Sequence, residues 1–97
     1  MRILYERTGG FAAIKLERIF DSTRLSPTEA RHLERLLQKS CFFDLPLELK
    51  STAPGADRFH YKLTVETGQG SRTVEAGESA VPPSLRPLLH WLETRKP

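Results

Sequence analysis

Residues 58–67 constrain the fold more than any other segment because their side chains alternate strictly between apolar and polar. Phe59, Tyr61, Leu63 and Val65 alternate with His60, Lys62, Thr64 and Glu66. A period of two is typical of a β-strand with one buried face and one exposed face. The segment therefore predicts a half-buried strand.

Three further segments are predicted as strands: residues 2–7, 12–20 and 71–76. In residues 12–20, Ile14, Leu16 and Phe20 share one face, and Arg18 interrupts that face. We therefore expect a bulge or a sheet edge at Arg18. The first two strands are joined by residues 8–11, which contain a pair of glycines. A glycine pair adopts positive φ without steric cost, which predicts an antiparallel hairpin.

The clearest helix begins after Ser26, which is a good N-cap, and Pro27 and Glu29 complete the helix-start pattern. Its apolar stripe consists of Ala30, Leu33, Leu36 and Leu37. Pro46 prevents simple continuation of this helix. The side chains expected to pin the helix end to the core are Phe42, Phe43, Leu45 and Leu47.

A second helix is predicted near residues 83–95, where Pro87 is tolerated because it falls in the first turn. Its apolar stripe consists of Leu85, Leu88, Leu89 and Leu92, with Trp91 at the border. The element order is therefore ββαββα. We expect an α+β fold in which a four-stranded, mainly antiparallel sheet carries two helices on one face, in a single domain of residues 1–97.

Composition excludes several classes of protein. No apolar run approaches the roughly 20 residues that span a bilayer, and the N-terminus has no signal-peptide pattern, so we expect a cytoplasmic protein without a membrane partner. The net charge is +3, but the basic residues are dispersed among acids. A nucleic-acid binder usually concentrates its basic residues on one face. A small basic nucleic-acid-binding module or a regulatory protein-binding module stays an alternative.

The chain offers no catalytic or metal-binding set. Cys41, His32, His60 and His90 lie in four different elements without the local pairs that mark zinc sites. We expect the three histidines at exposed or border positions and Cys41 as a small buried residue at a helix end. We therefore expect neither an enzyme nor a cofactor or metal.

Three segments have the composition of presented loops rather than packed core. They are the hairpin tip with Gly9, Gly10 and Phe11, residues 54–59, and residues 77–83. Loops on a compact frame commonly carry binding functions. For Phe11 the alternative is packing back onto the sheet. This pattern indicates a protein-binding domain without naming its partner.

Four sequence stretches carry a resemblance to a known family: ERTGGFAAIKL, FFDLP, PGADRFHYKLTVE and VPPSLRPLLHWL. Their order and spacing over nearly the whole chain closely resemble the emfourin family of protein inhibitors. That family inhibits protealysin and related thermolysin-like zinc metallopeptidases. The resemblance implies a cytoplasmic inhibitor without a metal of its own, whose partner is such a peptidase; we expect a monomer when it is free.

The resemblance also suggests which residues contact the peptidase. Gly9 and Gly10 would allow close backbone approach in the cleft, and Phe11 would fill the apolar subsite after the scissile bond. Asp57 would point towards the catalytic zinc or its water, and Arg58 would pair with an acidic residue on the cleft wall.

Overall fold

The computed structural model describes residues 1–9, 15–49 and 59–95 and shows an α+β fold with two helices and a mixed five-stranded sheet in that part of the chain. The strands are β1 (Arg2–Gly9), β2 (Leu16–Asp21), β3 (Glu48–Leu49), β4 (Phe59–Thr67) and β5 (Gly70–Gly77). The helices are α1 (Pro27–Ser40) and α2 (Arg86–Thr94), and single 3-10 turns occupy Ser22–Arg24, Phe42–Asp44 and Glu78–Ala80.

The sheet has the order β2-β1-β4-β5-β3, and all neighbours are antiparallel except β3, which runs parallel to β5. The α+β class and the two helices are confirmed, but the prediction of four strands is wrong. After α1, the Leu47 carbonyl accepts a hydrogen bond from the Glu75 backbone N–H at 2.9 Å, which holds the chain alongside β5. The strand that follows has two residues and is too short to show a period in the sequence.

One face of the sheet forms the core with both helices. The core side chains from the sheet are Ile3, Tyr5, Phe20, Leu63, Val65, Val74 and Ala76. The helices contribute Leu33, Leu37, Leu88, Leu89, Trp91 and Leu92. Ile3 and Tyr5 of β1 are fully buried. The alternation that predicted the strands therefore also assigns their faces, since successive side chains point to opposite sides of a sheet.

β2 is an edge strand, which agrees with the edge or bulge expected at Arg18. The Arg18 side chain lies on the same face as Phe20 and reaches the end of α2. Its Nη1 donates a hydrogen bond to the Arg95 carbonyl at 2.6 Å. A basic residue fits this apolar face because it caps the C-terminal carbonyls of the helix.

The helix α1 begins as predicted, but the residue that follows its last turn differs from the expectation. The Ser26 hydroxyl accepts a hydrogen bond from the Glu29 N–H at 3.2 Å. At the other end Cys41 is exposed and adopts a left-handed backbone with φ of 53°. The expectation that Cys41 is a small buried residue is wrong, because this C-cap position turns the side chain away from the core.

The segment after α1 is held to the core by fewer side chains than expected. Phe42 is fully buried, whereas Phe43 is 52% exposed and Leu47 is 61% exposed. Leu45 is partly buried, and its carbonyl accepts a hydrogen bond from the Arg72 side chain. Phe42 therefore supplies most of the apolar anchoring at this helix end.

The helix α2 begins at Arg86, three residues later than the predicted start near residue 83, because residues 83–85 form a turn. Pro87 lies in the first turn of the helix, as predicted. Trp91 is buried and its ring lies 5.3 Å from that of Phe20, centroid to centroid. Trp91 is therefore a core residue of the packing between β2 and α2 and not a border residue.

Phe42 and Phe43 form a matched pair that tests the anchoring of the α1 end. Phe42→Ala should lower the free energy of unfolding by about 3–5 kcal/mol, the usual cost of emptying a buried aromatic site. Phe43→Ala should change it by about 0.5 kcal/mol or less, since its ring is half exposed. Urea unfolding measures both values, and equal losses would contradict the assignment of Phe42 as the anchor.

Candidate functional site

All five strands of the described sheet have a terminus at one end of the sheet, which we term the loop end. In the antiparallel register Gly9, the last residue of β1, is the partner of Phe59, the first residue of β4. Gly77, the last residue of β5, is the partner of the residue that follows Phe59. Residues 10–14 follow Gly9 and residues 50–58 precede Phe59. The two segments that contain the predicted site residues are therefore joined to adjacent strands at the loop end.

One of the five predicted site residues lies in the described part of the chain. Gly9 has a φ of 106°, a backbone conformation that favours glycine, as the glycine pair in the sequence predicts. Gly10, Phe11, Asp57 and Arg58 lie outside the described residues, and their assignment stays a prediction.

Residues 77–83, the third segment with loop composition, also lie at the loop end. Val81 is 5% exposed and Leu85 is 3% exposed, so both side chains hold the segment against the core. The Leu85 N–H donates a hydrogen bond to the Pro82 carbonyl at 3.0 Å. Pro83 between them is exposed. The segment thus presents a surface from a fixed backbone.

A polar cluster on the helix side of the sheet supports the loop end. The Glu93 carboxylate of α2 accepts a hydrogen bond from the Tyr5 hydroxyl at 2.5 Å and another from Arg7 at 3.1 Å. The Arg7 guanidinium lies 4.8 Å from the centre of the Phe59 ring. A cation over an aromatic face is attractive. Glu93 therefore fixes Arg7 against the first residue that follows residues 50–58.

On the opposite face of the sheet, a charged pair lies next to residues 10–14. Lys15, the first described residue after residues 10–14, lies 2.9 Å from a Glu6 carboxylate oxygen and 3.0 Å from one of Glu17. The Glu6 residue is 9% exposed, and the hydrogen bond from Lys15 holds the pKa of its carboxyl below the usual range. This charged pair fixes the point at which the chain re-enters the sheet.

A comparison with models of protein families identifies the family of this chain. The family model of emfourin matches residues 5–93. The chain belongs to the emfourin family. No curated protein and no solved structure matches it.

The described part of the chain contains no group of three or more His, Cys, Asp or Glu side chains placed to hold a metal ion. His32, His60 and His90 are all exposed, as predicted. Among the same residues, neither helix has the length and apolarity needed to cross a membrane. The loop end carries charged and aromatic side chains beside the strand ends, among them Arg7, Phe59 and Lys15.

The role of Glu93 was not predicted from the sequence. Its signal is present in two places: Tyr5 and Arg7 share the face of Ile3 in β1, and Glu93 directly follows the buried Leu92 in α2. Glu93 can reach Tyr5 and Arg7 only if α2 crosses the covered face of the sheet at β1. The sequence does not define that crossing.

Tyr5 gives this cluster a measurable pH dependence. Burial, and then the hydrogen bond to Glu93, raise the pKa of Tyr5 well above its usual value near 10. Above about pH 10 the folded chain therefore keeps a proton that the unfolded chain loses, so the free energy of unfolding decreases as pH rises.

At pH 7, Tyr5→Phe should lower the free energy of unfolding by about 1.5–3 kcal/mol, because a hydrogen bond to a charged group is lost. The difference in the free energy of unfolding between parent and variant should narrow above about pH 10. Only the parent has the Tyr5 hydroxyl, whose ionisation in the unfolded chain lowers that free energy as pH rises. Urea unfolding from pH 7 to 11 measures both effects. Tyr61→Phe is the comparison: burial also raises the pKa of the half-buried Tyr61, so its difference from the parent should narrow in the same direction. A constant difference across this range for Tyr5→Phe would contradict the linkage.

Proposed function

We propose that this chain is a protein inhibitor of protealysin-type, thermolysin-like zinc metallopeptidases. The observation that carries the proposal is the match to the emfourin family over residues 5–93, which is nearly the whole chain. Emfourins are inhibitors of these peptidases, so no catalytic role is assigned to the chain itself. The zinc in the complex belongs to the peptidase.

The loop end supports inhibition by occlusion of the active-site cleft. A specific protein–protein interface buries roughly 1,600 Å² in total, or about 800 Å² on each partner. A single hairpin tip supplies less than that. Residues 10–14, 50–58 and 77–83 are all joined to the same end of the sheet, and we propose that they contribute to the interface together.

The hairpin after β1 is proposed to enter the cleft. Gly9 and Gly10 have no side chain to hold the backbone away from the peptidase. Phe11 is proposed to fill the apolar subsite that thermolysin-like enzymes use for the residue after the scissile bond. This is the role that the family resemblance implies for the first segment.

The segment before β4 is proposed to make the second contact. The Asp57 carboxylate is directed to the catalytic zinc or to its water, since carboxylate oxygen is a normal zinc ligand. Arg58 pairs with an acidic residue on the cleft wall. Phe59, which follows them, is held by Arg7 and Glu93.

The supports on both faces of the sheet reduce the cost of binding. Association normally requires loops and side chains to become ordered, which lowers affinity. The contacts of Phe59 with Arg7 and of Lys15 with Glu6 already fix one end of each segment in the free protein. A cytoplasmic location and a monomeric free state are also part of the proposal, and they rest on the sequence alone.

Titration of the purified protein into protealysin or thermolysin should give stoichiometric loss of peptide cleavage, without cleavage of the added protein. Phe11→Ala should raise the inhibition constant at least about 30-fold, the effect of removing an anchor worth about 2 kcal/mol. Asp57→Ala should also raise it. Full peptidase activity at a large molar excess of the parent would refute the inhibitor function. Parent-like inhibition by both variants would refute only these site residues.

Gly9 and Gly70 form a matched pair for the hairpin. Both have positive φ, 106° and 134°, but Gly70 is the first residue of β5, directly after the β4–β5 turn at the opposite end of the sheet. A Cβ at Gly70 has no heavy atom within 4 Å, so the cost of Gly70→Ala is backbone strain of about 1–3 kcal/mol. Gly9→Ala should lower stability by a similar amount and also weaken inhibition, whereas Gly70→Ala should leave inhibition unchanged. Equal inhibition by the two variants would show that Gly9 is not part of the interface.

A further inference from the structure

A groove of about 240 Å³ lies beside the loop end, between β4 and one side of α2. It is lined by Tyr61, Val81, Arg86, Leu89, His90 and Glu93. Arg86, His90 and Glu93 are spaced four and three residues apart, so they share one stripe of the helix. Arg86, the first residue of this stripe, lies three residues after the segment 77–83, which starts at the loop end.

Arg86 is the outermost charge of this groove that has no ion-pair partner among the described residues. Arg7 nearby is paired with Glu93, and Arg95 at the far end of α2 pairs with Glu29. Arg86 is exposed, as is His90 one turn further along the helix. The outer wall of the groove therefore carries an accessible positive charge.

Glu78, in the 3-10 turn that follows β5, carries an opposing charge. Burial and the carboxylates of Glu93 and Glu78 raise the pKa of Tyr61, whereas the charges of Arg7 and Arg86 lower it. Glu78 is half-buried and Arg86 is exposed. Arg86 is therefore the more accessible of these two charges.

The position of Arg86 is unfavourable for the helix itself. It is the first residue of α2, and the first turn contains no acidic residue. The amino-terminal end of a helix has a partial positive charge, so an acid there stabilises the helix and a base does not. Stability of the fold gives no reason for an arginine at this position, whereas a negatively charged partner does.

On the uncovered face of the sheet at the loop end, unlike at Arg86, the basic side chains have ion-pair partners. Its lysines, Lys15 and Lys62, both lie within ion-pair distance of Glu6, and His60 lies 3.6 Å from Glu75. The two lysines are therefore already compensated within the protein. Of the two sides of the loop end, the α2 side is therefore the better docking surface for an anionic partner.

We propose that Arg86 and His90 form a second contact surface, which docks an acidic segment at the rim of the peptidase cleft. This inference rests on the proposed inhibitor function and adds to it the charge of the partner surface. The net charge of +3 acts in the same direction, because it attracts an acidic partner before contact. Charges at the rim of an interface act mainly on the association rate.

The test compares two charge reversals, Arg86→Glu and Arg24→Glu. Arg24 is exposed and lies with Arg2 and Asp21 at the end of the sheet opposite the loop end. Both substitutions change the net charge equally, so a difference between their association rates reports a local contact at Arg86. The association rate with protealysin is measured from inhibition progress curves at low salt and at about 1 M salt, where the Debye length is about 3 Å.

At low salt, Arg86→Glu should associate about tenfold more slowly than Arg24→Glu, and the two rates should converge at high salt. Glu78→Gln should associate faster than the parent, because it removes the opposing charge. The melting temperature of Arg86→Glu should equal or exceed that of the parent, since an acid now begins α2. Arg86→Gln provides a second variant with a smaller effect in the same direction.

Equal rates for Arg86→Glu and Arg24→Glu, with inhibition by the parent intact, would overturn this inference and leave the inhibitor function standing. A salt-independent loss in Arg86→Glu would also overturn it, because the contact is electrostatic. Failure of the parent itself to inhibit would refute the proposed function, and this inference with it.

Discussion

The antiparallel pairing of β1 with β4 is the constraint on which the rest of this structure depends. Its register places Gly9 opposite Phe59 and so brings two chain segments, distant in sequence, to one end of the sheet. The same register aligns the buried faces of the two strands, since Ile3 lies opposite Val65 and Tyr5 opposite Leu63. A slip by one residue would move every one of these side chains to the other face.

The loop end is supported from both faces of the sheet by different interactions. On the covered face, the carboxylate of Glu93 from the last helix holds the Arg7 side chain of the first strand, which contacts Phe59. On the uncovered face, Lys15 is held by Glu6. The strand ends next to residues 10–14 and 50–58 thus make side-chain contacts with other parts of the sheet and with α2, and the proposed binding residues are attached next to these contacts.

Periodicity was sufficient to predict the long strands and the start of α1, because these depend on local patterns that burial reinforces. It was insufficient where tertiary contacts decide. The strand Glu48–Leu49 exists only because β5 lies beside it, and Trp91 is buried only because β2 lies beside α2. Of the candidate site, the sequence predicted the positive φ of Gly9 but not the role of Glu93, which depends on how α2 crosses β1.

The left-handed C-cap of α1 has a practical consequence for work in solution. Cys41 is the single cysteine of the chain, and its side chain is exposed. The turn that begins there places Phe43 beside Thr67 and Gly70, at the end of the sheet opposite the loop end. A fluorophore or a surface linker attached to this thiol would therefore leave the loop end accessible, so that the native sequence can be labelled or immobilised in one orientation.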